Sequence, residues 1–84
     1  MKFTVTWLPH ASDRLAEIWL SSEDRVAITE AANRIEMDLR HDADQKGLDF
    51  FEERVLLHPP LAVTFHASLE DCLVTVIDIK TFEI

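Results

Sequence analysis

The order of the hydrophobic patterns along this chain restricts its fold more than any other feature. One strand pattern comes first, two helix patterns follow, and three strand patterns close the sequence. Glycine and proline occur only at Pro9, Gly47, Pro59 and Pro60, so the elements are long and their connections short. A chain of 84 residues is below the length at which proteins divide into domains. The sequence therefore predicts a single α+β domain, residues 1–84, with the order β-α-α-β-β-β.

The first strand and the first helix are predicted from two different periods. Phe3, Val5 and Trp7 alternate with polar residues, which is the period of a half-buried strand. From about Pro9 to Leu20, apolar residues recur at three and four positions, which indicates an amphipathic helix with proline in its first turn. Trp7 and Trp19 lie on the apolar stripes of these elements and are expected to anchor the core.

A second helix is predicted to begin after Ser21 or Ser22, either of which is a suitable N-cap, and to run to about His41. Its apolar ridge consists of Ile28, Ala32, Ile35 and Leu39. The polar stretch that follows contains Gly47, which suits a sharp turn or a positive φ.

Three strand patterns follow this loop, and they cover Arg54–His58, Leu61–Ala67 and Cys72–Lys80. Their connections, Pro59-Pro60 and residues 68–71, have ordinary hairpin lengths, so an antiparallel meander is the expected topology. The two helices are predicted to cover one face of this small antiparallel sheet.

Both faces of that sheet are expected to be apolar. In the last strand one parity contains Leu73, Ile77 and Ile79, and the other contains Cys72, Val74 and Val76. A homodimer mate, a partner peptide or the folded-back residues 81–84 are candidates to cover the second face, and shielding by neighbouring side chains is the alternative. The residues expected to bind such a partner are Leu56, His66, Val74, Val76 and Phe82.

The charge balance argues against direct contact with nucleic acid. The chain has 16 acidic and 8 basic residues, a formal net charge of −8, and such a field repels phosphates. Either the acidic surface serves solubility or it meets a partner with a basic surface. The single cysteine, Cys72, and the lack of a signal peptide or an 18-residue apolar run lead us to expect a cytoplasmic protein without membrane contact.

Histidine is the usual side chain for acid–base chemistry, and His58 and His66 are the candidates on neighbouring predicted strands. Whether they pair depends on the strand register, which the sequence does not give. A surface or packing role is the alternative for both. Arg54 is expected to pair with Glu52, Glu53 or Asp78, a structural role that we favour over a functional one. No histidine spacing matches a metal site, and neither a metal nor another cofactor is predicted.

The order, spacing and length of these segments resemble the RelE/ParE superfamily of toxins from type II toxin–antitoxin systems. The resemblance covers nearly the whole chain. Its residues are Val5-Thr6-Trp7 before Pro9, Ala11, Leu15, Ile18 and Trp19, then Ala31-Ala32 and Ile35, then Arg54-Val55-Leu56, Leu61-Ala62-Val63-Thr64-Phe65 and Val74-Thr75-Val76-Ile77-Asp78-Ile79.

The resemblance implies a toxin that cleaves messenger RNA at the ribosome or poisons DNA gyrase, and that an antitoxin protein holds inactive. For the cleavage branch it implies Arg54 and Lys80 as catalytic residues, with His58 as a further candidate. The basic and often aromatic tail of the family is replaced here by residues 81–84, Thr-Phe-Glu-Ile, and the chain has no tyrosine. We therefore expect action by protein contact rather than by RNA cleavage. The rival interpretation is a non-toxic interaction module that keeps the fold and the partner-binding face.

Overall fold

The structure is a computed structural model that describes residues 2–50 and 53–82. Its elements in chain order are β1 (Thr4–Trp7), α1 (Pro9–Ser21), α2 (Arg25–Arg40), β2 (Leu48–Phe50), β3 (Glu53–His58), β4 (Leu61–Ser68) and β5 (Leu73–Thr81). A single 3₁₀ turn, Ala43–Gln45, connects α2 to β2. The α+β class and the predicted order are confirmed, with the short strand β2 as an addition. Three residues are too few to display a strand period, so the sequence pattern did not reveal it.

The strands form one mixed sheet in the order β1-β5-β4-β3-β2. The predicted meander of β3, β4 and β5 is antiparallel, as is the pairing of β2 with β3. In contrast, β1 runs parallel to β5 and places Thr4 opposite Leu73 and Trp7 opposite Val76. The sheet is therefore not wholly antiparallel. Hydrophobic periodicity predicts that a segment is a strand, but it carries no information on the direction of its distant partner.

Both helices lie on one face of this sheet, as predicted. α1 begins directly after β1, where the Leu8 N–H donates to the Val76 carbonyl at 3.0 Å, and it packs mainly against β5. α2 returns across the sheet and ends beside the first strand, where the Phe3 N–H donates to the Arg40 carbonyl at 2.7 Å. The buried residues of α2 are Ile28, Ala31, Ile35 and Leu39. They confirm the predicted ridge at Ile28, Ile35 and Leu39, but Ala31 is buried where Ala32, which is only partly buried, was expected.

The cap of α2 differs from the prediction by a few residues. α1 continues through Ser21, whose hydroxyl donates to the Glu17 carbonyl at 2.8 Å, so the turn begins later than expected. Asp24 is the N-cap, and its Oδ1 accepts the Ala27 N–H at 3.0 Å. Ser22 supports the cap by accepting the Asp24 N–H at 3.1 Å.

The two tryptophans have different environments. Trp7 packs against the core as predicted, but Trp19 is 39% exposed, so its assignment as a core anchor is wrong. Trp19 lies near the end of α1, and the guanidinium of Arg25 covers its ring at 4.7 Å from the centroid. Arg25 also donates from Nε to the Trp19 carbonyl at 3.2 Å and from Nη2 to the Leu20 carbonyl at 3.1 Å. This contact fixes the turn between the helices.

A β-bulge in β5 decides which of its residues enter the core. Thr64 lies opposite Asp78, but the next residue, Phe65, lies opposite Val76, so β5 contains one extra residue, Ile77. The bulge shifts the alternation of side chains by one position. Val74, Val76 and Ile79 are therefore all fully buried. The predicted division, with Ile79 on the face opposite Val74 and Val76, is wrong for this reason.

The loop before β2 depends on Gly47 and Arg54. Gly47 has φ +74°, as its predicted role in a turn requires, and a Cβ added there would lie 2.5 Å from the Val55 carbonyl oxygen. Arg54 donates from Nε to the Lys46 carbonyl at 2.6 Å and from Nη2 to the Gly47 carbonyl at 3.4 Å. Its side chain therefore holds the loop against β3.

We expect Gly47→Ala to lower the free energy of unfolding by at least about 2 kcal/mol, because it combines a disfavoured positive φ with a close approach to the backbone. Urea denaturation followed by circular dichroism measures this. Gly47→Asn separates the two causes, since asparagine tolerates positive φ but still has a Cβ. A Gly47→Asn protein as stable as the wild type would contradict the steric part of this explanation.

We expect Arg54→Ala to lower the free energy of unfolding by about 1–3 kcal/mol, because the bonds from its charged guanidinium to two carbonyls are lost. Arg54→Lys should recover only part of this loss, since one ammonium group cannot reproduce the guanidinium fork. Lys80→Ala is the control, at an exposed position, and should change the stability by no more than about 0.5 kcal/mol. Equal stability of the Arg54→Ala and Lys80→Ala proteins in urea would refute a structural role for Arg54.

Candidate functional site

The three predicted catalytic residues do not meet in the structure. Residues directly opposite each other in neighbouring strands share a face of the sheet. Arg54 lies opposite Phe65 and His58 lies opposite Leu61, and both partners are fully buried beneath the helices. Lys80 lies opposite Ala62 and next to the buried Ile79, so it belongs to the other face, where it is exposed. The sheet thus separates Lys80 from the other two residues.

One of the three predicted partners of Arg54 is excluded. Asp78 lies opposite Thr64, on the face of the sheet that carries Lys80, so its predicted ion pair with Arg54 is wrong. Glu52 lies outside the described residues, and pairing of Arg54 with Glu52 or Glu53 stays a prediction. The guanidinium also donates to the carbonyls of Lys46 and Gly47, which the sequence did not indicate. Asp78 has two other neighbours: its Oδ1 accepts the Ile79 N–H at 2.9 Å and lies 3.6 Å from Nε2 of His10.

The two strand histidines lie on opposite faces. His58 is on the helix side, and its buried Nδ1 has no hydrogen-bond partner among the described residues. His66 lies opposite Thr75 near the far end of β4 and is exposed on the other face. The two histidines therefore do not form an acid–base pair, a question that the sequence left open. Strand periodicity does not reveal the register, which places them on opposite faces.

The predicted partner-binding residues are divided among three environments. Val74 and Val76 are fully buried in the core and Leu56 packs against it, so their assignment to an open face is wrong. His66 lies on the open face, meaning the face of the sheet without helices. Phe82 lines a groove beside the start of α2.

The apolar residues of the open face are those that alternate with the core-facing residues of β2 and β3. Leu48 lies opposite Val55, and Leu57 follows two residues later on the same strand. Leu48 is 65% exposed and Leu57 is 51% exposed. In the sequence of β3, Val55 and Leu57 alternate with Leu56, which agrees with their placement on opposite faces. Nothing in the pattern indicated which of the two sets the helices would cover.

Among residues 2–50 and 53–82, no three His, Cys, Asp or Glu side chains gather into a set able to hold a metal ion. Neither helix in these ranges has the length and apolar character that crossing a bilayer requires.

Comparison with known proteins identifies solved structures that have a similar fold. No protein-family model matches the sequence, and no curated protein matches it significantly. Solved structures do match over nearly the whole chain. One is the toxin–antitoxin complex RelBE2 from Mycobacterium tuberculosis, with a TM-score of 0.75, 12% identity, and coverage of 96% of this chain and 92% of that chain.

Two further structures extend this likeness. The chromosomal ParDE toxin–antitoxin system of P. aeruginosa matches with a TM-score of 0.69 and 18% identity over 98% of both chains. The isolated E. coli RelE toxin matches with a TM-score of 0.53 and 14% identity, over 100% of this chain and 87% of that chain. At these identities the likeness concerns the fold alone. The chain thus has the RelE/ParE toxin fold, as its sequence resemblance predicted.

Proposed function

We propose that this chain is the toxin component, or a toxin-derived member, of a type II toxin–antitoxin system, and that it acts by protein contact. The RelE/ParE fold supports the first part of this proposal. The separation of Arg54 and His58 from Lys80 by the sheet supports the second part. DNA gyrase is the protein target that we propose.

Cleavage of RNA requires groups that converge on one phosphate. They orient it, stabilise the developing negative charge and move a proton between the 2′-hydroxyl and the leaving oxygen. In this chain Lys80 lies on the open face, while the Arg54 guanidinium is bound to loop carbonyls on the other side. The net charge of −8 opposes phosphate binding as well. A ribosome-dependent ribonuclease is therefore the weaker alternative.

An antitoxin protein is the partner that we propose for the open face. Leu48, Val55 and Leu57 offer it adjacent apolar side chains, and partly exposed apolar patches of this kind mark interaction sites. His66 lies on the same face and remains a candidate contact. A homodimer mate is the alternative occupant.

The second candidate function is a non-toxic interaction module with this fold. The placement of Arg54 and Lys80 on opposite faces of the sheet favours it, because no cluster of cations is assembled for an activity on RNA. The neighbouring reading frame discriminates between the two functions. A small gene product with a helical, basic and amphipathic segment favours a toxin–antitoxin pair, whereas an isolated gene favours the module.

Growth after induced expression tests toxicity. We expect the wild type to arrest the original host or a close relative, and Arg54→Lys and Lys80→Ala to arrest it equally at matched protein levels, because contact with a protein target does not use these cations. Loss of arrest in Lys80→Ala alone would instead support chemistry at the open face. Soluble wild-type protein that causes no arrest would support the non-toxic module.

Partner binding at the open face has its own test. We expect Leu57→Asp to weaken binding to the product of the neighbouring gene at least about tenfold, since it places a charge in the apolar patch. Met37→Asp is the matched control, because Met37 is 58% exposed on α2, away from the sheet face. Titration calorimetry gives both affinities. Equal affinities would exclude the open face as the site.

A further inference from the structure

A groove of about 750 Å³ lies outside the open face. It is located between the start of α2 and the end of the sheet that carries the β3–β4 turn. Ala27, Ile28 and the Glu23–Asp24 turn form one wall. Pro60 of the β3–β4 turn and Phe82, just beyond β5, form the other. The groove is large enough for several side chains of a ligand, and its walls offer apolar surface below and carboxylates at the rim.

Both walls are held by hydrogen bonds before any ligand arrives. On the helix side, Asp24 caps α2 through the Ala27 N–H at 3.0 Å, and Arg25 donates to two carbonyls at the end of α1. On the sheet side, the Phe82 N–H donates to the Pro60 carbonyl at 2.9 Å. A groove with fixed walls loses little conformational entropy when a ligand binds.

The charge of the groove is negative. Glu23 and Asp24 are both exposed at its rim, and no lysine or arginine of the described residues lines it. The Asp24 carboxylate also offsets the positive end of the α2 dipole, which would otherwise attract an anion. Together with the overall charge of −8, this arrangement repels phosphates and acidic peptides and attracts cations.

We propose that this groove binds a basic segment of a protein partner, with apolar side chains against Ile28 and Phe82 and a lysine or arginine beside Glu23 and Asp24. The identification of the occupant as a protein segment rests on the proposed function. The groove is a contact separate from the open face, so a partner that engages both would span the end of the sheet.

Two short amphipathic peptides of equal length and equal leucine content, one with lysine and one with glutamate at the polar positions, test the proposal. In NMR titrations of the full chain we expect the lysine peptide to shift the amide signals of Ala27, Ile28, Thr81 and Phe82. It should bind at least about tenfold more tightly than the glutamate peptide. Shifts confined to the open face, equal binding of both peptides, or absence of binding by the lysine peptide would overturn the proposal.

Variants then assign the contacts. Glu23→Gln with Asp24→Asn removes both charges while asparagine keeps the cap, and we expect it to weaken binding several-fold. Asp13→Asn with Glu17→Gln removes the same charge from exposed positions on α1 and should leave the affinity unchanged. Ala27→Phe fills the groove and should abolish binding. Circular dichroism of each variant checks that it is folded, and unchanged binding by folded Ala27→Phe protein would refute the site.

The outcomes separate this proposal from the proposed function. Growth arrest by the wild type, together with lysine-peptide binding outside the groove, would support the proposed toxin function and refute the groove as a binding site. Binding in the groove without growth arrest would support the groove as a binding site and favour the non-toxic module.

Discussion

The extra residue in β5 determines which side chains of the last strand face the helices and enter the core. Without the bulge at Ile77, a regular strand would place Ile79 on the face opposite Val74 and Val76, and apolar side chains would be divided between the two sides. With it, Val74, Val76 and Ile79 all contribute to one core beneath α1 and α2. A short chain has little apolar surface to bury, so concentrating much of it on one side of the sheet favours a stable core.

The same shift determines which polar residues accompany each face. After the bulge, Asp78 and Lys80 occupy the open face, while Arg54 lies on the helix side in register with Phe65. Arg54 holds the loop through the carbonyls of Lys46 and Gly47. Arg54 thus fastens a loop on the helix side, and Arg54 and Lys80 are not assembled in one place.

Prediction from sequence succeeded where one local property determines the outcome. Gly47 was predicted to lie in a turn because glycine accepts a positive φ, and its φ is positive. The apolar ridge of α2 was predicted to be buried because its residues recur with the period of a helix, and most of them are buried. Prediction failed where the outcome depends on another segment. In β5 both parities are apolar, so the pattern contained no sign of the bulge that places Val76 and Ile79 together.

Trp19 was assigned to the core because its spacing is helical, but its position at the end of α1 brings it against Arg25 instead of the sheet. The groove beside Phe82 is formed by three distant segments, and no local pattern could have indicated it.

The parallel pairing of β1 with β5 has a consequence for the synthesis of the protein. Among the described residues, the strand Thr4–Trp7 pairs with Leu73–Val76, which follow both helices and the strands β2, β3 and β4. Until β5 has been made, the first strand and the helices that follow it have no complete sheet to bury against. Contacts of such long separation in sequence form late and slowly. The nascent chain therefore acquires its native surface only after β5 has been made, so any activity that belongs to that surface is withheld until then.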